Sequence, residues 1–441
     1  MMRPAYLTLK LVLKYALWIY YPITRFINTP KKRFARTIYV SNHAASFMDP
    51  LVVASNQKPI VFFMTRSDVF TPIMKPILWA AHMLPIYRQQ DGEDTKKKNE
   101  EVFQTCYRIL KYGRSLLIFG EGFTDDVFIR RLKPIKKGAA RIGFGALEKI
   151  NWKKKIYIQV IGVNYEDPNV LGSGVVIANG NPICLNDYKK EYQKNANKVI
   201  NDLTERIELE LREQLTDVRD EKWATTHENV MRLTKKGMHA FDSDKSIPIL
   251  ERRNYSKKLA HWFNSQDLDQ NPEMVQLKKD LQAYFTLLKR ENIREDILTT
   301  HISKPLNKLQ HYLKLVLLAP FVLIGLIHNY PAYRFVKRFT EKTFKRKVFW
   351  GSVKMTFGAL LNGIYNIVLL VALNHLVYYN TLFWLIYFFS IVPVSGILAF
   401  YYFRNIDRYQ QLQILKEKDL SSIVAKREQL IKEIHKAISV A

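Results

Sequence analysis

Apolar residues fall along this chain in three kinds of pattern, and each predicts a different element. Between Ala5 and Ile27, Leu7, Leu11, Tyr15, Trp18 and Tyr21 recur at three- and four-residue steps, with Lys10, Lys14 and Arg25 interspersed. That spacing predicts a helix with one apolar face, lying on a membrane surface or packed as an ordinary amphipathic helix. After the basic Lys31-Lys32-Arg33 come four short apolar runs of strand length: Thr37 to Ser41, Ile60 to Met64, Ser115 to Phe119 and Ile156 to Gly162. Helical patterns separate them. Strands alternating with helices predict an α/β layer structure with a central, mostly parallel sheet flanked by helices. In such sheets, chemistry gathers where loops leave the strand ends.

From about Asp187 to Leu309 the pattern becomes charged and helical, interrupted by Pro248, Pro272 and Pro305. Beyond it, Met355 to Tyr378 and Thr381 to Phe403 each exceed the roughly 18 apolar residues that a membrane-crossing helix needs, and they predict a transmembrane hairpin. A shorter run, Leu315 to Ile327, contains Pro320 and Gly325 and reads as re-entrant or interfacial. Seven basic residues, Arg334, Lys337, Arg338, Lys342, Lys345, Arg346 and Lys347, follow it. Such a cluster prefers the cytoplasmic side, which agrees with a run that does not cross. The organisation expected is therefore an N-terminal interfacial helix over 1–30, a catalytic domain over 31–186, a charged helical region over 187–309, a membrane region over 310–405 and an amphipathic C-terminal helix over 406–441.

Composition narrows the partners. Lysine and arginine outnumber aspartate and glutamate by 68 to 40, so a formal charge of +28 seeks a polyanion, either nucleic acid or anionic lipid. The apolar helices favour anionic membrane lipids, with no nucleic acid. The two cysteines, Cys106 and Cys184, have neither CxxC spacing nor a histidine cluster, so no zinc site or disulfide framework is indicated. Lys10 and Lys14 inside the first apolar stretch, and the lack of a small-residue cleavage pattern, are unlike a cleaved signal peptide.

Candidate chemistry begins where the first strand run ends, in Ser41-Asn42-His43-Ala44-Ala45-Ser46-Phe47-Met48-Asp49-Pro50. Histidine is the side chain best suited to take a proton near neutral pH, and a carboxylate can fix its tautomer. On a straight helix His43 and Asp49 would lie about 600° apart, so they can meet only through a turn, which the small residues Ala44 to Ser46 allow. Otherwise His43 is a loop histidine and Asp49 an N-cap. Further on, Met83 to Tyr87 delivers Arg88 at its tip, suited to bidentate phosphate recognition or simply solvated. The run Leu116 to Phe119 opens into Gly120-Glu121-Gly122-Phe123-Thr124, where glycines let backbone amides approach a ligand. Then Lys136 and Lys137 precede Gly138-Ala139-Ala140, either a phosphate site at a helix start or a solvated basic loop.

Taken in order, Asn-His…Asp-Pro, the arginine, Phe-x-Glu-Gly, Lys-x-Gly-Ala-Ala and the strand Gln159 to Tyr165 resemble the glycerolipid acyltransferase family over roughly Thr37 to Pro182. Five residues separate His43 from Asp49, where most members have four. With Phe47 before the aspartate and Pro50 after it, this variant is similar to the fungal-type glycerol-3-phosphate and dihydroxyacetone-phosphate acyltransferases, which also carry membrane segments after the catalytic domain. Gly120 stands where the family commonly has proline.

The resemblance implies that His43, oriented by Asp49, takes the proton of an acceptor hydroxyl that attacks an acyl thioester. The donor would be acyl-CoA or acyl carrier protein, used as a co-substrate, with no cofactor and no metal. Arg88, Glu121, Gly122 and Thr124 would hold the acceptor, Lys136 or Lys137 would add positive field, and Glu121 would bond a hydroxyl or anchor Arg88. The acceptor would be glycerol-3-phosphate or dihydroxyacetone phosphate, or alternatively a lysophospholipid such as 1-acylglycerol-3-phosphate. The catalytic domain would face the cytoplasm, at a bacterial inner membrane or, in a eukaryote, the endoplasmic reticulum. A serine hydrolase is disfavoured, because Leu171-Gly172-Ser173-Gly174 lacks the G-x-S-x-G elbow. A non-catalytic protein binding anionic membranes would explain the charge but leave His43, Asp49 and Glu121 without a purpose.

Overall fold

The computed structural model describes residues 3–30, 34–56, 61–72, 74–87, 94–303 and 308–438. The chain divides into two compact units, the first ending at Asp220 and the second beginning at Glu221.

The first unit runs α1 (Arg3–Tyr20), β1 (Ile23–Ile27), β2 (Thr37–Ser41), α2 (Met48–Asn56), β3 (Val61–Arg66), α3 (Lys75–Ala80), β4 (Met83–Ile86), α4 (Thr95–Lys111), β5 (Ser115–Phe119), α5 (Gly138–Lys149), β6 (Tyr157–Tyr165), β7 (Gly174–Asn179), β8 (Ile183–Cys184), α6 (Lys189–Lys194) and α7 (Ala196–Glu213). The strands form one sheet in the order β1-β7-β6-β2-β5-β3-β4, with β8 also paired to β6. All neighbours are parallel except β6 with β7 and with β8. β2 is buried at every position because β5 and β6 flank it and helices cover both faces, which is why its residues alternate so little in polarity. Its Ile38 and Val40 share one core with Leu116, Ile118, Phe144 and Ile158.

The expected sheet is found, with three corrections. The first helix stops at Tyr20, and 23–27 is a strand pairing β7, so the N-terminal segment joins the sheet instead of forming one helix to Ile27. Its alternation is weak because it is a half-exposed edge strand. β7 and β8 are further strands beyond those anticipated. Third, the catalytic unit extends past 186: Leu203, Ile207 and Leu211 of α7 bury against the same core as β2 and β6.

The second unit comprises α8 (Glu221–Thr234), α9 (Ile249–Ser265), α10 (Pro272–Arg290), α11 (Glu295–Ser303), α12 (Lys308–Thr343), α13 (Trp350–Leu376), α14 (Thr381–Lys416) and α15 (Ser421–Ala437). Three of its helices are long and apolar enough to cross a membrane: α12, α13 and α14. The run 315–327 is thus part of a continuous helix of 36 residues that carries Pro320 and Pro331 inside it. Its shortness, the ground for reading it as re-entrant, disappears once the flanking polar residues are seen to continue the same helix. At Pro331 the carbonyl freed four residues back, that of Ile327, accepts from the Tyr365 hydroxyl of α13 at 3.0 Å.

How these helices pair limits how they can cross. The segment before α12 forms one body with the last turns of α14 and with α15: Arg294 binds Asp407 at 3.0 Å, Arg408 donates to Thr300 at 2.7 Å and Arg427 of α15 binds Glu295 at 2.7 Å. One folded body lies on one side of a bilayer, so the crossings between them must be even in number. α12 and α14 run antiparallel, Tyr312 meeting Tyr409 near one end while Asn329 donates to the Val392 carbonyl further along. The end of α12 and the start of α14 therefore share the half away from the helical body, and α13, joined to them by 344–349 and 377–380, begins and ends there. Inside the bundle His328 bonds Asn366 at 2.5 Å and Tyr387 at 3.1 Å, so its buried polar atoms are satisfied internally.

Two expectations follow. With cysteine replacements in sealed vesicles, Lys345→Cys and Tyr379→Cys should react with an impermeant maleimide from the side opposite to Lys436→Cys; labelling of Lys345→Cys from the Lys436 side would contradict this topology. In the first unit, His82 is sandwiched between Tyr6 and Phe62 at 4.5 and 4.4 Å, and neither of its ring nitrogens meets a partner among the described residues. Burial, and secondarily the Arg114 charge, pull its pKa from 6.5 down to about 4. The unfolded chain then binds the extra proton first, so the stability present above pH 6.5 drains away as pH falls towards 4. Thermal unfolding of purified His82→Phe should show a shallower acid-side loss than the wild type.

Candidate active site

Three parallel strands, β5, β2 and β6, end side by side, and each delivers a functional side chain at its C-terminal edge. β2 leads into the turn 42–47. Asn42 replaces main-chain pairing there, donating to the Val163 carbonyl at 3.1 Å and accepting from the Val163 amide at 2.8 Å. This pins the turn to β6. Ser46 then takes a left-handed backbone (φ 52°), which bends the chain into α2 and brings Asp49, in the first turn of that helix, back beside His43.

His43 Nδ1 lies 3.1 Å from Asp49 Oδ2. The carboxylate can only accept, so the proton sits on Nδ1 and Nε2 keeps its lone pair. The ring stacks on Phe119 at 4.4 Å, and its side chain is 22% exposed, whereas that of Asp49 is fully enclosed. Asp49 is held by two further donors: the Ala45 amide reaches Oδ2 at 2.8 Å and the Tyr165 hydroxyl reaches Oδ1 at 2.9 Å. An anion at the N-terminus of α2 also gains from the helix dipole. The arrangement holds the imidazole in one orientation and leaves Nε2 open, the geometry that a general base would need.

Glu121, at the end of β5, is buried, and both its oxygens are engaged by main-chain amides: His43 N at 2.5 Å and Lys133 N at 3.0 Å. Burial raises its pKa, against the lowering pull of those two amides. The carboxylate expected to meet an acceptor hydroxyl therefore also holds the turn that carries His43, with one main-chain amide on each oxygen. Two more carboxylates tie down the same loop, Asp217 accepting from the Leu132 amide at 2.7 Å and Glu208 from the Ile135 amide at 2.9 Å. Arg130 adds bonds to the carbonyls of Tyr165 and Glu166 at 2.5 and 3.0 Å.

Gly122 has φ +77°, so the backbone favours glycine there, and a Cβ would lie 2.7 Å from the Nζ of Lys136, whose flexible side chain folds over it. Gly120 has a related reason: a Cβ would come within 2.8 Å of Ile135. Thr124 is buried two residues beyond Gly122, whereas Lys136 and Lys137 are exposed, Lys137 at the N-cap of α5. Arg88 lies outside the described residues. A cavity of about 20 Å³, lined by Asn42, Ala44, Arg130, Tyr165 and Thr216 among others, has room for one water.

Sequence reasoning found His43 and Asp49 but missed Tyr165, Glu208 and Asp217. They stand 116, 73 and 85 residues of chain from the groups they bond, so they left no local signal; only the convergence of strand ends and the return of α7 reveals them.

The family model described as acyltransferase matches residues 26–163. That span includes His43, Asp49, Glu121, Gly122, Thr124, Lys136 and Lys137 and stops just before Tyr165. Comparison with curated proteins gives no significant match. The family match and the histidine–aspartate geometry together support acyl transfer as the activity of the first unit.

Glu121→Gln should turn an acceptor into a donor facing a main-chain amide, at a cost of about 1–3 kcal/mol. The expected result is a lower Tm and a lower kcat with the acceptor KM within about twofold of wild type. A large rise in acceptor KM at unchanged Tm would instead mark Glu121 as a substrate contact.

Proposed function

We propose that this protein is a membrane-bound O-acyltransferase that moves a fatty acyl group from an acyl thioester, carried by CoA or acyl carrier protein, to a hydroxyl of glycerol-3-phosphate or dihydroxyacetone phosphate. The observation that carries this reading is the contact between His43 Nδ1 and Asp49 Oδ2, which leaves Nε2 open at the edge of the sheet. The acceptor hydroxyl gives its proton to Nε2 as its oxygen attacks the thioester carbonyl carbon. A C–O bond forms, the C–S bond breaks, and the imidazolium returns the proton to the departing sulfur. No acyl-enzyme is needed. Asp49 stabilises the imidazolium between the two steps.

Exposed Lys136 and Lys137 supply positive field for the acceptor phosphate, and Arg88 takes the same role on its motif position alone. Attachment to the bilayer falls to α12, α13 and α14, assisted by α1, whose Leu11 and Trp18 are 70% and 62% exposed while Leu17 and Tyr20 pack inward. Lys10 and Lys14 on the same helix suit an anionic lipid surface.

The test is acyl transfer by purified protein in detergent, with glycerol-3-phosphate, dihydroxyacetone phosphate and 1-acylglycerol-3-phosphate as acceptors and both carriers as donors. Transfer to the first two is expected; transfer only to the third would make the protein a lysophospholipid acyltransferase. His43→Ala should lower kcat by at least about 10²-fold, the scale of general-base loss. Turnover by that variant at the wild-type rate would remove the base from the mechanism.

A further inference from the structure

Behind the dyad stands a side chain that the reaction as written does not use. Tyr165 ends β6 and is fully buried, its ring tilted against Tyr21 at 5.7 Å and met edge-on by Phe128 at 6.2 Å. Its hydroxyl donates to Asp49 Oδ1 at 2.9 Å, the oxygen not shared with His43. Its own carbonyl is gripped by Arg130. The phenol is therefore held from both ends of the residue.

We propose that Tyr165 is a positioning residue of the acyl-transfer site, whose hydroxyl holds Asp49 in place and moderates the negative charge that this carboxylate presents to His43. The catalytic consequence rests on the acyltransferase reading; the chemical one, a change in how His43 takes up a proton, does not.

The physics is that of a shared anion. Each hydrogen bond to a carboxylate stabilises its ionised form and draws charge away from its other partners. Within a buried site these bonds are stronger than in water, so the loss of one is felt by the rest. Removing the phenol leaves the Asp49 charge to the Ala45 amide and the imidazole alone. The imidazolium is then held more tightly, and His43 keeps its proton to higher pH. Burial, followed by the Asp49 charge, holds the Tyr165 hydroxyl itself well above the ordinary phenol range, so it remains a donor wherever the enzyme works. Among the described residues, the other titratable groups facing the dyad are Glu121, which accepts from the His43 amide, and Tyr21, whose hydroxyl donates to the Pro168 carbonyl at 2.9 Å.

Tyr165→Phe keeps the ring and removes the donor, and Tyr21→Phe is the matched control, equally buried but bonded elsewhere. Diethyl pyrocarbonate reacts with neutral imidazole, and mass spectrometry of the peptide carrying His43 reports the pH of half-maximal reactivity without any acyl-transfer assay. In Tyr165→Phe this midpoint should rise by about 0.5–1 pH unit, a share of what a direct bond to a charged group is worth. In Tyr21→Phe it should stay at the wild-type value. Should Tyr165→Phe fail to fold, 3-fluorotyrosine at position 165, a stronger donor of nearly the same shape, should move the midpoint the other way. In turnover, Tyr165→Phe should lose about tenfold in kcat with little change in either KM, and the acid limb of its pH profile should follow the labelling midpoint. A midpoint that is the same in Tyr165→Phe, or in the fluorinated protein, as in the wild type would overturn the proposal. Failure of the acyltransferase reading would look different: no transfer to any acceptor by the wild type, with the labelling shift intact.

Discussion

A single buried carboxylate organises the first unit. Enclosing the charge of Asp49 would be prohibitive without compensation, and the fold supplies it from three directions: the Ala45 amide, the Tyr165 hydroxyl and the His43 imidazole, at the start of a helix whose dipole favours an anion. These donors come from the turn after β2 and from the end of β6. Their meeting requires that β6 lie beside β2 in register, Ser41 opposite Ile161, so the sheet order itself is a condition of the chemistry.

A second constraint acts on the opposite flank. The loop between β5 and α5 carries consecutive basic residues and would be a poor support for the turn that carries His43 if left to solvent. Glu121, Asp217 and Glu208 each accept from one of its amides or from that of His43, converting a basic loop into a rigid wall. Arg212 in turn binds both Glu208 and Asp217. The helix α7 is thus part of the active-site framework, and the boundary between units falls after it because these bonds would otherwise be cut.

In the second unit the governing requirement is satisfaction of polar groups in an apolar bundle. His328, Asn329, Asn362 and Asn366 bond one another, Tyr387 and the Val392 carbonyl, an arrangement possible only with α12, α13 and α14 in one register. Gly325 and Gly396 permit the close approach: a Cβ on Gly325 would strike the Ser395 carbonyl at 2.4 Å, and one on Gly396 would strike Asn329. Packing and hydrogen bonding, rather than apolar length, hold these helices together.

Much of this was legible along the chain. The strands 37–41 and 115–119, the pairing of His43 with Asp49 through a small-residue turn, the charged helical region and the two long apolar runs all rest on local chemistry: strand-length apolar segments, glycine and alanine at a bend, uninterrupted hydrophobicity. Other features rest on partners distant in sequence, which local pattern cannot name. Ile23 to Ile27 is a strand because β7 offers it an edge, α12 passes Pro331 with the freed Ile327 carbonyl taken up by Tyr365 of α13, and Glu121 serves the main chain because burial puts two amides against its oxygens. The sequence alone determined which residues could transfer a proton; only the tertiary structure decided what holds them, since a buried charge takes its partners from whatever elements the sheet order brings within about 3 Å.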